Sequence, residues 1–209
     1  MKLVLISDTH GKHRRFDIPD GDVLIHAGDI MTSGYDVLEI QDFNAWLGGL
    51  PHPNKIIIAG NHDWLFERSS KTRDLITNAV YLEDSGIEIN GLKFWGSPVQ
   101  PEFYNWAFNR KRGEEIQKHW DKIPEGTDVL ITHGPPAGFR DWVKAGRESL
   151  GCRNLRDTIK KIKPRLNVFG HIHGGYGVDN DGTTFYVNAS LLNEAYQPTN
   201  KPIVAKLAS

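Results

Sequence analysis

Five short apolar runs in this sequence each end in side chains that can bind a metal ion. LVLIS leads into Asp8 and His10, VLIHAG into Asp29, KIIIAG into Asn61, His62 and Asp63, DVLIT into His133, and NVFG into His171 and His173. Short aliphatic runs stopped by Gly or Ser are typical of buried strands. Because ligands collect at the carboxyl ends of strands in an open α/β sheet, we expect these side chains to meet at one sheet edge.

The number and type of donors predict two metal ions. Asp8-x-His10 and His171-x-His173 have a spacing that points both side chains to one face of extended backbone. The donor set is too large for a single ion, whereas two ions sharing a carboxylate form a site suited to phosphoester hydrolysis. Oxygen and nitrogen donors without a thiolate favour Mn²⁺, with iron or Zn²⁺ as alternatives.

The order of predicted elements indicates an α/β fold. Strands are predicted over residues 2–6, 22–26, 55–59, 128–132, 166–169, 183–188 and 202–207, with a hairpin over 87–95 around Asn90-Gly91. Helices are predicted over residues 36–48, 64–68, 71–78, 110–121 and 153–163. Early βα units followed by late hairpins predict a four-layer αββα sandwich, with two mixed β-sheets face to face and helices outside. The length of 209 residues fits a single domain, 1–209.

Composition excludes several classes of partner. The formal net charge of −1 provides no general attraction to nucleic acid or to anionic membranes. Cys152, the single cysteine, excludes an intramolecular disulfide and is expected to be a small packing residue. With neither a signal peptide nor a membrane-spanning apolar run in the sequence, we expect a cytoplasmic protein with no membrane partner. The oligomeric state stays open.

The motifs occur in the order D-x-H, G-D, G-N-H-D, T-H-G and G-H-x-H. This order resembles the signature of calcineurin-like metallophosphoesterases, and the sequence between the motifs resembles the metallophosphoesterase-domain-containing (MPPED) subfamily. The similar segments are residues 82–86, 96–98, 105–108, 132–142, 169–173, 186–190 and 197–202. The resemblance spans essentially the whole chain and implies the calcineurin-like phosphoesterase fold. Asp63 and Gly174 depart from it, because relatives often have Glu at both positions.

The resemblance also implies a role for each motif residue. It places Asp8, His10 and His173 on one metal and Asn61, His133 and His171 on the other, with Asp29 bridging both. It implies that His62 is no ligand but stabilises the transition state or protonates the leaving oxygen, with Asp63 orienting its ring. Asn61 and His62 would contact the substrate, and a metal-bound hydroxide would attack the phosphorus without a covalent phosphoenzyme.

Aromatic residues on two loops beside the His133 strand have two interpretations. The residues are Phe103, Tyr104, Trp106, Phe108, Phe139 and Trp142, together with Arg140. They either pack the loops onto the core or stack a nucleobase, with Arg140 near a phosphate. In the second interpretation Phe139 and Arg140 are substrate-binding residues. Of the histidines outside the motifs, His26 is expected to be buried and hydrogen-bonded, and His13 is a candidate for substrate contact.

Three functions are compatible with these observations. The resemblance implies a phosphodiesterase for small phosphoesters, with 2′,3′- or 3′,5′-cyclic nucleotides as substrates. A phosphomonoesterase or protein phosphatase is the alternative, although no peptide-recognition module is evident. A catalytically inactive scaffold is disfavoured because every ligand position and His62 are filled. A long nucleic acid substrate is disfavoured because we see neither a capping domain nor a basic groove.

Overall fold

The computed structural model describes residues 1–143 and 148–208. Its strands are β1 (Lys2–Ile6), β2 (Val23–Ala27), β3 (Asn54–Ile58), β4 (Val80–Tyr81), β5 (Ser85–Ile89), β6 (Leu92–Ser97), β7 (Gln100–Pro101), β8 (Asn109–Arg110), β9 (Val129–Thr132), β10 (Trp142–Val143), β11 (Glu148–Ser149), β12 (Leu166–Phe169), β13 (Gly177–Asn180), β14 (Phe185–Asn188) and β15 (Ile203–Lys206). Its α-helices are α1 (Val37–Gly48), α2 (Trp64–Arg68), α3 (Glu114–Trp120) and α4 (Arg153–Ile162). Short 3₁₀ helices occupy His13–Arg15, Ser70–Leu75 and His173–Gly175.

The first sheet has the order β15-β1-β2-β3-β4, in which β1 to β4 are parallel and β15 is antiparallel to β1. Alternate side chains of β1 enter two different cores. Leu3 and Leu5 pack towards the second sheet, while Val4 and Ile6 pack with Phe43 of α1. This two-sided burial explains why the strand is apolar at every one of these positions.

The second sheet has the order β13-β14-β12-β9-β6-β5, with parallel β6, β9, β12 and β14 between two antiparallel edge strands. Its inner face adds Val129 and Ile131 to the core shared with the first sheet. Its outer face packs Leu130 against Trp120 of α3 and Leu155 of α4. The predicted four-layer αββα sandwich is therefore confirmed.

Local signals place the ends of the helices. The Asp36 side chain accepts a hydrogen bond from the Leu38 N–H and caps α1. The Cys152 sulfur accepts one from the Leu155 N–H at the start of α4, so this buried cysteine both packs and caps. Lys163, with left-handed backbone, ends α4 one residue before Pro164.

Several predicted elements differ from the structure. The helix predicted over residues 71–78 is the 3₁₀ helix Ser70–Leu75. The helix predicted from residue 110 begins only at Glu114, because Arg110 belongs to β8 and Gly113 has a φ of 90°. β13 was missed because it is polar and partly exposed. No helix within residues 1–143 and 148–208 is long and apolar enough to cross a membrane. A single domain over 1–209 stays a prediction.

Candidate metal centre

The carboxyl ends of five strands from both sheets lie at one edge of the sandwich. β1, β2 and β3 come from the first sheet, and β9 and β12 from the second. The Asp8 N–H donates to the Gly28 carbonyl (2.9 Å), and the His171 N–H donates to the Asp8 carboxylate (3.0 Å). These bonds join the loops that follow β1, β2 and β12, so side chains distant in sequence come together as predicted.

One half of the site contains Asp8, His10 and His173. One donor atom of each of these residues lies within 4.8 Å of those of the other two. The His173 Nε2 is 3.4 Å from an Asp8 oxygen, and the His10 Nε2 is 3.4 Å from Asp29 Oδ2. Both carboxylates and both imidazoles converge on one small volume, the arrangement that a metal ion requires.

The other half contains Asn61, His133 and His171. The Asn61 Oδ1 is 2.8 Å from both His133 Nε2 and His171 Nδ1. The second oxygen of Asp29, Oδ1, is 3.4 Å from His133 Nε2. The two Asp29 oxygens therefore face different halves of the site, as a bridging carboxylate would.

Hydrogen bonds to backbone carbonyls orient the imidazoles as ligands. The His133 Nδ1 lies 2.9 Å from the Ala27 carbonyl and the His173 Nδ1 lies 3.0 Å from the Asn193 carbonyl. A carbonyl can only accept, so each Nδ1 carries a proton and each Nε2 is turned towards a carboxylate, from where it can bind a metal once its own proton is displaced. The buried His10 Nε2 has no hydrogen-bond partner among the described residues. A cation among these atoms would bind the carboxylates and the Nε2 atoms that face them, and it would give the His10 Nε2 a partner. The donor set therefore fits divalent metals.

The protonation states also suit metal binding. Burial by itself would raise the pKa of Asp8 and Asp29, but the neighbouring His173 and His133 outweigh it and hold both values below the usual range. Burial lowers the pKa of His10 to about 4. Although burial opposes it, the charge of Asp29 raises the pKa of His133 to about 9. A metal ion at this position would take the place of the His133 proton.

The backbone of the site is unusual. Asp8, His10, Asp29 and His171 have left-handed φ angles of 54°, 41°, 56° and 66°. Non-glycine residues rarely adopt this conformation, and it is maintained here by surrounding structure. A Cβ on Gly170 would collide with the Asp8 carboxylate, so the chain can approach Asp8 this closely only with a glycine at this position.

His62 lies beside the two halves of the site. Its backbone N–H donates to Asp29 Oδ1 (2.8 Å), and its Nδ1 donates to the Thr32 carbonyl (2.9 Å). Its ring stacks on Trp106 with centroids 4.3 Å apart and meets the His10 ring edge to face at 4.6 Å. With Nδ1 bound to a carbonyl, Nε2 is the atom that can exchange a proton. A His62 nitrogen also lies within 4.8 Å of donor atoms of His10 and Asp29.

The expectation that Asp63 orients the His62 ring is wrong. The Asp63 carboxylate accepts hydrogen bonds from the N–H groups of Gly60 (2.7 Å), Met31 (2.8 Å) and Ile30 (3.2 Å). The Thr32 carbonyl, and not Asp63, accepts the hydrogen bond that orients the His62 ring. Burial, with the charge of Asp29 beside it, raises the pKa of Asp63 to about 7, against the effect of the three N–H donors. Asp63 therefore ties the loop after β2 to the loop after β3.

A cavity of about 260 Å³ opens over these residues. Its walls include Phe103, Trp106, Arg112 and Tyr196. The Tyr196 ring meets the rings of His10 and His173 with centroid distances of 5.0 and 4.9 Å. Arg112 and Tyr196 were missed by the sequence analysis. Tyr196 directly precedes residues 197–202, one of the segments that resemble the family. Its position next to that segment could have marked it as a candidate site residue.

The prediction that Phe139 and Arg140 bind substrate is not supported, because neither lines this cavity. Phe139 stacks on Tyr186 at 3.7 Å as part of the core, so the packing interpretation holds for it. Arg140 donates to Asp179 (2.9 Å) on β13. Their loop contains two residues with positive φ angles, Gly138 and Arg140.

The two remaining histidine predictions have different outcomes. His26 is buried, accepts from the Gly28 N–H through Nδ1 (3.3 Å) and bonds to Thr9 through Nε2 (3.0 Å), as expected. His13 is buried among Phe43 and Trp46 with Asp42 as its partner (2.9 Å). His13 is thus a core residue and not a substrate contact.

Known proteins share this sequence and fold. Metallophosphoesterase domain-containing protein 1 of Homo sapiens is 45% identical over 231 residues, covering 99% of this chain and 71% of that protein. UPF0046 protein C25E10.12 of Caenorhabditis elegans is 39% identical, with 98% of this chain and 80% of that protein covered. The crystal structure of TT1561 of Thermus thermophilus is similar in fold alone, with a TM-score of 0.55, 13% identity, and coverage of 90% of this chain and 88% of that chain.

The calcineurin-like phosphoesterase family matches residues 1–175. This range includes every candidate ligand described above, from Asp8 to His173, and the histidine beside them. The resemblance inferred from the motifs is therefore confirmed. The chain belongs to the calcineurin-like phosphoesterase family.

Proposed function

We propose that this protein is a dinuclear metal-dependent phosphodiesterase that hydrolyses small phosphoesters, with 2′,3′- or 3′,5′-cyclic nucleotides as its substrates. Family membership supports the coarser activity, hydrolysis of phosphoesters. The observation that carries the proposal is the placement of Asp29, whose Oδ2 lies 3.4 Å from His10 and whose Oδ1 lies 3.4 Å from His133. A carboxylate shared in this way suits two ions better than one.

The residues divide between the two ions as the resemblance implies. One ion would be held by Asp8, His10 and His173, the other by Asn61, His133 and His171, and both by Asp29. When bound, two divalent cations lower the pKa of a water molecule and neutralise the phosphoryl oxygens. Mn²⁺ is our first choice, with iron or Zn²⁺ as alternatives. A cytoplasmic location remains a prediction.

His62 would donate a proton to the leaving group. Its Nδ1–H is committed to the Thr32 carbonyl, so Nε2 is available to donate to a departing alkoxide. Stacking on Trp106 holds the ring in place. The positively charged form of His62 would also stabilise negative charge that develops on the phosphoryl group.

The cavity favours a small substrate. Its volume of about 260 Å³ lies just below the usual range for small-molecule sites, which suits a ligand of low molecular weight. Phe103, Trp106 and Tyr196 offer aromatic faces on which a nucleobase can stack. The nucleobase platform proposed here therefore consists of these residues and excludes Phe139 and Arg140.

An activity panel tests the proposal. Purified protein with Mn²⁺ would be assayed against bis-p-nitrophenyl phosphate, p-nitrophenyl phosphate, and 2′,3′- and 3′,5′-cyclic AMP. We expect the diester and at least one cyclic nucleotide to be hydrolysed faster than the monoester. Preference for the monoester would support the phosphomonoesterase instead. Absence of turnover with both ions bound would support the inactive scaffold.

A further inference from the structure

A second cleft, of about 610 Å³, adjoins the catalytic cavity. We call it the basic cleft, because its lining includes Arg112, Arg153 and Arg156 together with Ser149 and Asn154. The described residues that line it include no carboxylate. Two of the arginines, Arg153 and Arg156, lie at the start of α4, where the helix dipole also favours anions.

Arg112 connects the basic cleft to the catalytic cavity, because it lines both. Its guanidinium donates to the Leu150 carbonyl (2.7 Å) and to the Gly151 carbonyl (2.9 Å). Leu150 lines the catalytic cavity and Gly151 lines the basic cleft. The Arg112 guanidinium is thus held at the boundary between the two spaces, where an extended ligand would pass.

The basic cleft carries an excess of positive charge. Among residues 1–143 and 148–208, neither Arg112 nor Arg153 forms an ion pair with a carboxylate. Arg156 is paired with the exposed Asp157 at 2.9 Å, so its charge is partly neutralised. Two unpaired guanidinium groups beside one cleft are notable in a chain whose formal net charge is −1.

We propose that the basic cleft binds a second phosphate of the substrate, remote from the phosphate that is hydrolysed. This inference rests on the proposed function and narrows its substrate class to phosphoesters with an additional phosphate. A nucleoside 2′,3′-cyclic phosphate that also carries a 5′-phosphate is one such compound. A planar guanidinium group can donate two parallel hydrogen bonds to a pair of phosphate oxygens. Arginines therefore suit a phosphate site better than lysines do.

The test compares adenosine 2′,3′-cyclic phosphate with and without a 5′-phosphate. We expect the 5′-phosphorylated compound to have the lower KM in the wild-type protein. Arg153→Gln should raise that KM about tenfold, the loss of one charge-assisted contact, and leave the KM of the unphosphorylated compound within about twofold. Asp157→Asn should lower the KM of the 5′-phosphorylated compound, because it frees Arg156.

Lys160→Gln is the matched control, since it removes the same charge from α4 about 10 Å further along the helix. It should change neither KM by more than about twofold. Equal effects of Arg153→Gln on both compounds, or no effect, would overturn the proposal. If neither compound is hydrolysed, the proposed activity on 2′,3′-cyclic nucleotides fails, and calorimetric binding in EDTA decides the inference separately. A tighter Kd for the 5′-phosphorylated compound that Arg153→Gln abolishes supports the basic cleft, and equal Kd values overturn it.

Discussion

At the scale of single residues, the Asp29 carboxylate contacts both halves of the metal centre and also accepts the His62 N–H. We expect Asp29→Ala to lose bound metal and nearly all turnover, because each ion would lose a ligand. The fold should persist, since the apolar clusters between the layers do not include Asp29. Elemental analysis and circular dichroism measure the two effects. Asp17→Ala, at an exposed aspartate, is the control, and retention of two ions in Asp29→Ala would contradict the bridging role.

Replacement of His62 should slow hydrolysis without removing the metal ions. We expect His62→Ala to keep both metals and to lower turnover by about 10²–10⁴-fold if proton donation is its main role. The loss should be small for p-nitrophenol as leaving group, which needs no proton, and large for a nucleoside alkoxide. An equal loss across leaving groups would leave only an electrostatic role. Loss of a metal would make His62 a ligand, which its distance to His10 and Asp29 permits.

At the scale of elements, Asp84 ties the turn between β4 and β5 to α3. Its carboxylate accepts hydrogen bonds from Ser97 (2.7 Å), His119 (2.6 Å) and Lys122 (2.7 Å). Burial would raise the pKa of Asp84, but the hydrogen bonds from Lys122, Ser97 and His119 outweigh it and lower the value. The carboxylate is therefore more stable in the folded chain than in the unfolded one.

The lowered pKa of Asp84 makes the free energy of unfolding depend on pH. Because the folded pKa lies below the unfolded value of 3.8, the contribution of Asp84 is complete above that pH and is lost as the pH falls through the folded pKa. We expect Asp84→Asn to cost about 1–3 kcal/mol near pH 7 and progressively less under acidic conditions. Urea unfolding from pH 7 down to about pH 2, which covers the region below 3.8 where the contribution is lost, measures the difference. A constant difference over this range would show that Asp84 acts without its charge.

At the scale of the whole molecule, the metal centre joins loops from both sheets, so bound ions should stabilise the entire sandwich. Ions that bind only the folded chain at 100 to 1,000 times their Kd contribute about 3–4 kcal/mol. For a domain of this size we expect EDTA to lower the Tm by about 5–15 °C. Differential scanning fluorimetry tests this, and Asp29→Ala should respond much less. An unchanged wild-type Tm would mean that the ions do not contribute to holding the sheets together.

Much of the fold could be predicted because its signals are local. The periodicity of residues 2–6 and 166–169 predicts β1 and β12 with the observed bounds. Asn90-Gly91 predicts the hairpin, and both residues have the positive φ angles, 49° and 81°, that this turn requires. β13 was missed because a polar edge strand has no apolar pattern and forms only by pairing with β14.

The sequence by itself determined which residue types follow each strand, and parallel strands bring such residues to one edge whatever the details of packing. Only the tertiary structure decided their partners. Asn61 meets His171 across 110 residues of chain, Asp63 bonds to the loop after β2 instead of to His62, and Arg112, not Arg140, reaches the cavity. Hydrophobic periodicity depends on neighbours along the chain, whereas these contacts depend on how loops that are distant in sequence pack together at the edge of the two sheets.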